Sequence, residues 1–187
     1  RNGFAERIEN ALALVNSRGV VEEMLRAIET AQCTLAIMDK QCAELIGADL
    51  HMPTIAIGQN FETLSTPRAG LTFMPEAIDP EEGGIVLFTS GTTGFPKAAL
   101  LSQGALAHSV SIAAFMGLVQ DARYEEETGV VLPESSRSMA TPAVILGPMF
   151  HLSGIMPIFR AISLGTTIHI MSKWSADIAF DMIETVG

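Results

Sequence analysis

The chain is poor in cysteine, basic residues and histidine, and each shortage excludes a class of function. Cys33 and Cys42 are its 2 cysteines, and their spacing fits neither a metal nor a redox motif. Both are expected to be reduced, small core residues. Lys and Arg total 11 against 21 Asp and Glu, for a net charge of -10 at pH 7. Nucleic-acid binders carry a basic stripe, so no nucleic-acid partner is expected. Any phosphate ligand must be met by local positive charge. The 4 histidines are scattered: His108 and His151 stand far apart with no Cys/His cluster beside them, so no metal site is expected. His51, His108 and His169 lack any site-like context. The Gly-x-Ser-x-Gly nucleophile elbow is missing, and no carboxylate pair suits glycoside chemistry. The acidic triplet Glu125-Glu126-Glu127 reads as a solvated face.

Long apolar runs are missing too. No uninterrupted stretch reaches the roughly 18 residues of a membrane helix, and the longest candidate, Ile112–Val119, sits in a helical pattern. No membrane span is therefore expected. The opening Arg1–Arg7 mixes charges and lacks an apolar core, unlike a signal peptide. The expected location is the cytoplasm. The chain starts on Arg1 and not on Met, which points to residues before it.

What the chain does have is apolar content: 48% of residues are hydrophobic, with mean hydropathy +0.35. A chain near this length can bury roughly 70% of its unfolded surface, enough for one real core. Apolar runs alternate with helical patterns, the signature of an α/β fold of layered sheets with flanking helices. Strands are predicted at Ala11–Val15, Thr34–Met38, Thr54–Ile57, 84–88, Ala98–Leu101, Pro142–Leu146 and Thr166–Ile170. Helices are predicted at Val21–Ala31, Lys40–Ile46, Gln103–Leu118, Leu152–Ser163 and Ala176–Val186. Ser102 and Ser175 suit helix caps, and Gly187 suits a helix end. The stretch 58–82, with Pro67, Pro75 and Pro80, reads as a long surface connection. Residues 121–141 read as an exposed loop or hairpin.

The densest chemical signal lies in 88–98. Behind the strand-like run Ile85-Val86-Leu87-Phe88 come Thr89, Ser90, Gly91, Thr92, Thr93, Gly94 and, after Phe95-Pro96, Lys97. Glycines after a strand let backbone N–H groups approach an anion. Hydroxyls and an ammonium then bond its oxygens, each such bond to a charged group contributing about 1.5–3 kcal/mol. The order is not that of a Walker loop: Pro96 stands where the second glycine belongs, and Ala98 replaces the metal-binding hydroxyl. Nor is there a Gly-x-Gly-x-x-Gly fingerprint.

The run Thr89–Lys97 resembles the phosphate loop of the AMP-forming acyl-CoA synthetases, the adenylate-forming superfamily. Leu100-Leu101-Ser102-Gln103 fits the strand-to-helix segment that follows it. Gly147-Pro148-Met149-Phe150-His151-Leu152-Ser153-Gly154 is similar to the family's Pro-x-Phe-His motif with its following glycine. Asn16-Ser17 with the helix at Val21–Ala31 resembles the family's strand–Asn–helix unit. Leu164-Gly165, Lys173-Trp174 and Ile178–Ile183 also follow the pattern.

This resemblance implies ATP-dependent activation of a carboxylic acid to acyl-AMP and then acyl-CoA. The small-molecule partners would be a carboxylate, ATP and CoA, with Mg2+ as the ion. Thr89, Ser90, Gly91, Thr92, Thr93, Gly94 and Lys97 would hold the ATP phosphates, and His151 would orient substrate or gate the site. Met149, Phe150, Ile155, Met156 and Phe159 form a candidate apolar pocket wall that favours fatty or aromatic acids; the same residues would also serve as core. The family's aromatic-Gly-x-Thr-Glu motif for adenine and magnesium, its ribose-binding aspartate and its late catalytic lysine are not among the 187 residues. Residues 1–187 are thus expected to be an internal fragment of the large N-terminal adenylation domain, without the C-terminal domain. Alone, the chain is expected to be inactive and to expose apolar surface, through which a homo-oligomer could form. Two other readings stand beside this one: a non-catalytic phosphate-binding or assembly module, and an amino-acid adenylation unit serving a carrier protein.

Overall fold

The computed structural model describes residues 11–58, 77–89, 96–171 and 173–186. In chain order the elements are β1 (Leu12–Ala13), α1 (Val21–Thr30), β2 (Ala36–Met38), α2 (Lys40–Ile46), β3 (Thr54–Ala56), β4 (Gly83–Thr89), β5 (Lys97–Ser102), α3 (Gln103–Thr128), β6 (Ala143–Ile145), α4 (Leu152–Leu164), β7 (Ile168–Ile170) and α5 (Ala176–Val186). The chain divides into two units, Arg1–Gln103 and Gly104–Gly187.

The first unit is organised by β4. Gly83 to Leu87 are all buried, as expected of a strand with neighbours on both edges and cover on both faces. β1 runs parallel to it, with Leu12 opposite Ile85 and Ala13 opposite Val86. β5 runs antiparallel on the other edge, from Gly83↔Ser102 to Thr89↔Lys97, with a register shift between Gly83 and Ile85. The open end of this hairpin is fastened twice: the Gln103 N–H donates to Glu82 O at 2.8 Å, and Gln103 Nε2 donates to Gly83 O at 3.5 Å. A separate parallel pair, β2 and β3, aligns Ala36–Met38 with Thr54–Ala56. Met24, Ile28 and Ile46 form a buried cluster where α1 and α2 meet. Asp39 caps α2 by accepting the Cys42 N–H at 2.7 Å, a bond that satisfies an otherwise orphaned donor. Cys33 and Cys42 are free thiols, and burial pushes both above the ordinary thiol range.

The second unit pairs β6 with β7 in parallel, Ala143↔Ile168 to Ile145↔Ile170, with α4 as the crossover. Ala143, Ile145 and Ala161 form its buried cluster, backed by Met149, Ile158 and Ile168. Gly165 ends α4 in the left-handed region, φ 68°, ψ 26°. The Thr166 N–H then returns to Ala161 O at 3.0 Å, closing the helix end as glycine allows.

The largest departure from the sequence reading is α3. It runs to Thr128, ten residues beyond Leu118, so the expected loop over 121–141 is helical in its first part. The segment Ala122–Glu127 contains good helix formers, and Arg123 pairs with Glu127 one turn on at 2.9 Å. Gly129, at φ +67°, stops it. The strands are shorter than expected at β1, β2, β3, β6 and β7, while β4 and β5 are longer. α3 bears on the membrane expectation without overturning it. It is 26 residues long, and its most apolar 18-residue window has mean hydropathy 1.2, with 22% of that window buried. By length and composition this helix is apolar enough to cross a membrane, a test that core helices of water-soluble folds also pass. Counting unbroken apolar runs missed it because His108, Ser109 and Ser111 interrupt the run. The Ser109 and Ser111 hydroxyls donate to Ala105 O and Ala107 O, 2.8 and 2.9 Å away.

Candidate functional site

Thr89 is the last residue of β4 and Lys97 the first of β5, and the antiparallel register sets them opposite each other. The Thr89 hydroxyl donates to Lys97 O at 3.4 Å. Both side chains are exposed, and among the described residues no ion pair engages Lys97. The glycine-rich run is therefore the connection of a β-hairpin, not a strand-to-helix loop of the Walker kind. Ser90, Gly91, Thr92, Thr93 and Gly94 lie outside the described residues. What the structure places is the frame: a buried strand leading in, and a strand leading out that begins with the one cation of the motif.

His151 belongs to the second unit, at the entrance to α4. Its backbone is extended, φ −119°, ψ 156°, and its side chain makes no capping bond to the helix. The backbone holds it instead. Its N–H donates to Pro148 O at 3.0 Å, and its carbonyl accepts from Gly154 N at 3.0 Å and Ile155 N at 3.1 Å. The Phe150 ring lies 4.8 Å from the imidazole, tilted by 50°, a favourable separation and tilt for two rings. The imidazole is exposed, so it is free to meet a ligand. Of the candidate pocket residues, Met149 packs against the Ala143–Ile145–Ala161 cluster and is core. Ile155, Met156 and Phe159 are half-buried on α4.

Sequence reasoning missed a polar network elsewhere in the second unit. Asp121 is the buried charged residue of α3, 6% exposed. Its carboxylate accepts the Ser138 N–H at 2.9 Å and the Ser138 hydroxyl at 2.5 Å. Arg160 of α4 donates to Ser138 O, and Arg137 pairs with Glu125 at 2.9 Å. Glu125 also accepts the Leu132 N–H at 2.9 Å. Asp121 and Glu125 lie one turn apart on one face of α3, so the segment after the helix is bolted along it. A helical reading of 121–128 would have exposed that spacing. Among the described residues, no group of three or more His, Cys, Asp or Glu side chains is placed to hold a metal, so none of them forms a magnesium cage.

The model of the AMP-binding enzyme family matches residues 5–187. The chain belongs to the AMP-binding enzyme family. Over 175 residues it is 25% identical to a 2-succinylbenzoate--CoA ligase of Bacillus cereus (strain Q1), covering 93% of this chain and 31% of that protein. Over 108 residues it is 35% identical to an indoleacetate--CoA ligase of Aromatoleum aromaticum, covering 57% of this chain and 18% of that protein. The chain thus spans about a third or less of the length of these relatives. Among solved structures it superimposes on the Bacillus subtilis o-succinylbenzoate CoA synthetase held with its acyl-adenylate intermediate. The TM-score is 0.65 at 20% identity, over 94% of this chain and 40% of that one. That likeness shows the fold: the small sheets and flanking helices are those of the N-terminal domain of adenylate-forming enzymes.

Proposed function

We propose that the protein carrying this chain activates an aromatic carboxylic acid to its CoA thioester. The observation that supports this most is the similarity along the sequence to CoA ligases, whose named acids, 2-succinylbenzoate and indoleacetate, both carry an aromatic ring. In the first step a carboxylate oxygen bonds to the α-phosphorus of ATP, and the bond to the bridging oxygen breaks to release pyrophosphate. In the second, the CoA thiol adds to the acyl carbonyl and AMP leaves, the thiol proton passing to solvent.

This chain's share of that work is electrostatic. Two anions must approach, and a highly charged group must leave. Preorganised donors aimed at developing charge are the usual means. Thr89, Ser90, Thr92 and Thr93 would donate hydroxyl hydrogens, Gly91 and Gly94 would expose amides, and Lys97 would neutralise the departing pyrophosphate. Magnesium, when bound, would offset phosphate charge. His151, exposed at the head of α4 and backed by the Phe150 ring, would orient the carboxylate. Positioning of this kind supplies a large part of such a barrier reduction.

The test is carboxylate-dependent ATP–pyrophosphate exchange by the full-length protein with benzoate, indoleacetate, 2-succinylbenzoate, a long-chain fatty acid and a set of amino acids. Exchange led by an aromatic acid, followed by CoA thioester formation, is the expected result. Exchange driven by the fatty acid replaces the substrate class. Exchange driven by an amino acid without thioester formation to CoA overturns the ligase assignment.

A further inference from the structure

The turn that carries His151 is built around two glycines whose side-chain space is already occupied. A Cβ on Gly154 would stand 2.5 Å from the carbonyl carbon of Pro148 and 2.8 Å from the carbonyl oxygen of Gly147, and closer still to Pro148 O. Real Cβ atoms essentially never come within 3.0 Å of such neighbours. All three atoms are main chain, so no side chain can rotate away. The crowded Pro148 carbonyl is the one that accepts the His151 N–H, and the His151 carbonyl accepts the Gly154 N–H. Gly154 therefore touches two of the three backbone hydrogen bonds that hold the histidine.

The helix cannot relieve the contact by backing away. Gly154 and Ala161 are the buried residues of α4, seven positions apart and so on one face. Ala161 is 0% exposed against Ala143 and Ile145 of β6. A methyl group at 154 would displace the turn and leave the helix in place. Gly147 closes the same space from the other side. A Cβ there would stand 3.0 Å from the carbonyl carbon and Cβ of Ser153, and nearer to Ser153 Oγ.

We infer that Gly154 is a positioning residue: its bare Cα lets the first turn of α4 seat on the Pro148 carbonyl, and this seating fixes where the imidazole of His151 and the ring of Phe150 stand. The inference rests on the reading of His151 as the group that orients the carboxylate. It is not a statement about stability alone, because the atoms that a methyl group would push are those that aim the imidazole.

The experiment uses the full-length enzyme and the aromatic acid that gives the fastest ATP–pyrophosphate exchange. Gly154→Ala, His151→Ala and the double variant are compared for kcat, for KM of each substrate and for thermal midpoint. A misplacement of about 1 Å costs about 100-fold in rate. Gly154→Ala is therefore expected to lower kcat on that scale and to lower the thermal midpoint, since the backbone must shift, while KM for ATP stays near wild type. The double variant is expected to be no slower than His151→Ala, since a misplaced group and a missing one give the same loss. A wild-type kcat in Gly154→Ala, or an equal further loss on the His151→Ala background, overturns the inference while leaving the histidine's role intact. An unchanged rate in His151→Ala overturns the histidine's role and the inference with it. Should Gly154→Ala not fold, Gly147→Ala serves instead. Its rate should recover when Ser153→Gly removes the opposing hydroxymethyl group, and failure to recover counts against the seating.

Discussion

Asp121 and Ser138 are joined by two hydrogen bonds, one from the Ser138 amide and one from its hydroxyl, at 2.9 and 2.5 Å. One carboxylate on α3 thus satisfies both donors of a residue seventeen positions away, and the Arg160 guanidinium holds the carbonyl of the same residue. Truncating the carboxylate strands those donors in a half-buried position, which costs more than the bonds themselves contribute. Asp121→Ala should lower the thermal midpoint clearly, and Glu126→Ala, on the exposed face, should not. Thermal unfolding of the two variants side by side checks this.

The same pair sets an acid sensitivity. The Ser138 hydroxyl, and then its amide, hold the Asp121 carboxyl below its ordinary value of 3.8. A group whose folded pKa is lowered contributes stability that is fully present above its unfolded pKa and is lost as pH falls through the folded one. The midpoint of the wild-type chain should therefore drop below pH 3.8 more steeply than that of Asp121→Asn. Parallel curves would remove Asp121 from the acid response.

Gly165 and Gln32 both sit in the left-handed region, with opposite prospects. Gly165 ends α4 at φ 68°, and Gln32 follows α1 at φ 52°. A side chain in that region costs about 1 kcal/mol. Gly165→Ala should destabilise by about that amount, and Gln32→Gly should be neutral to stabilising by up to about the same. Chemical denaturation with unchanged slope would show both effects.

Ile85 is 2% exposed in the middle of β4, while Leu12, its neighbour across the parallel pair, is 55% exposed. Ile85→Ala should cost about 2–5 kcal/mol through lost contacts and the cavity left behind. Leu12→Ala should stay within about 0.5 kcal/mol. Equal losses would mean that the sheet has further cover over Leu12.

Lys97 and Thr89 are exposed at the mouth of the hairpin, so their removal should leave the fold intact. In the full-length enzyme, Lys97→Ala should slow the adenylation half-reaction about 10- to 100-fold. That factor corresponds to one charge-assisted bond to phosphate of about 1.5–3 kcal/mol. Thr89→Ala should slow it less. Rates equal to wild type in both, by pyrophosphate exchange, would exclude the phosphate-loop assignment.

Much of this architecture was legible in the chain because its signals are local. Ile85–Phe88 announced β4 by four consecutive apolar residues, and a strand on either side of the hydroxyl–glycine–lysine run was legible, though not that the two pair as a hairpin. The bounds of α2 could be read from Asp39, which caps it, and Gly47, which follows it. The end of α3 was not legible, because three glutamates in a row look like a solvated loop until Arg123 and Glu127 are seen one helical turn apart. The Asp121–Ser138 pair was invisible for a different reason: contact across seventeen residues depends on a helix length that had been read too short. The glycines flanking His151 were recognised by pattern, but why they must be glycine depends on backbone atoms brought together only in the folded turn.

The two bonds from Gln103 to Glu82 and Gly83 lie at the opposite end of the hairpin from Lys97. Six residues of extended strand, about 20 Å, separate the two ends. Side chains alternate along a strand, so a slip of one residue at Gln103 would carry Lys97 to the other face of the sheet. The direction in which the ammonium points is thus set along the whole ladder, with the Gln103 amide as its far anchor. A survey of activity alone would rank Gln103 among the chemical groups, when its contribution is alignment transmitted along a strand.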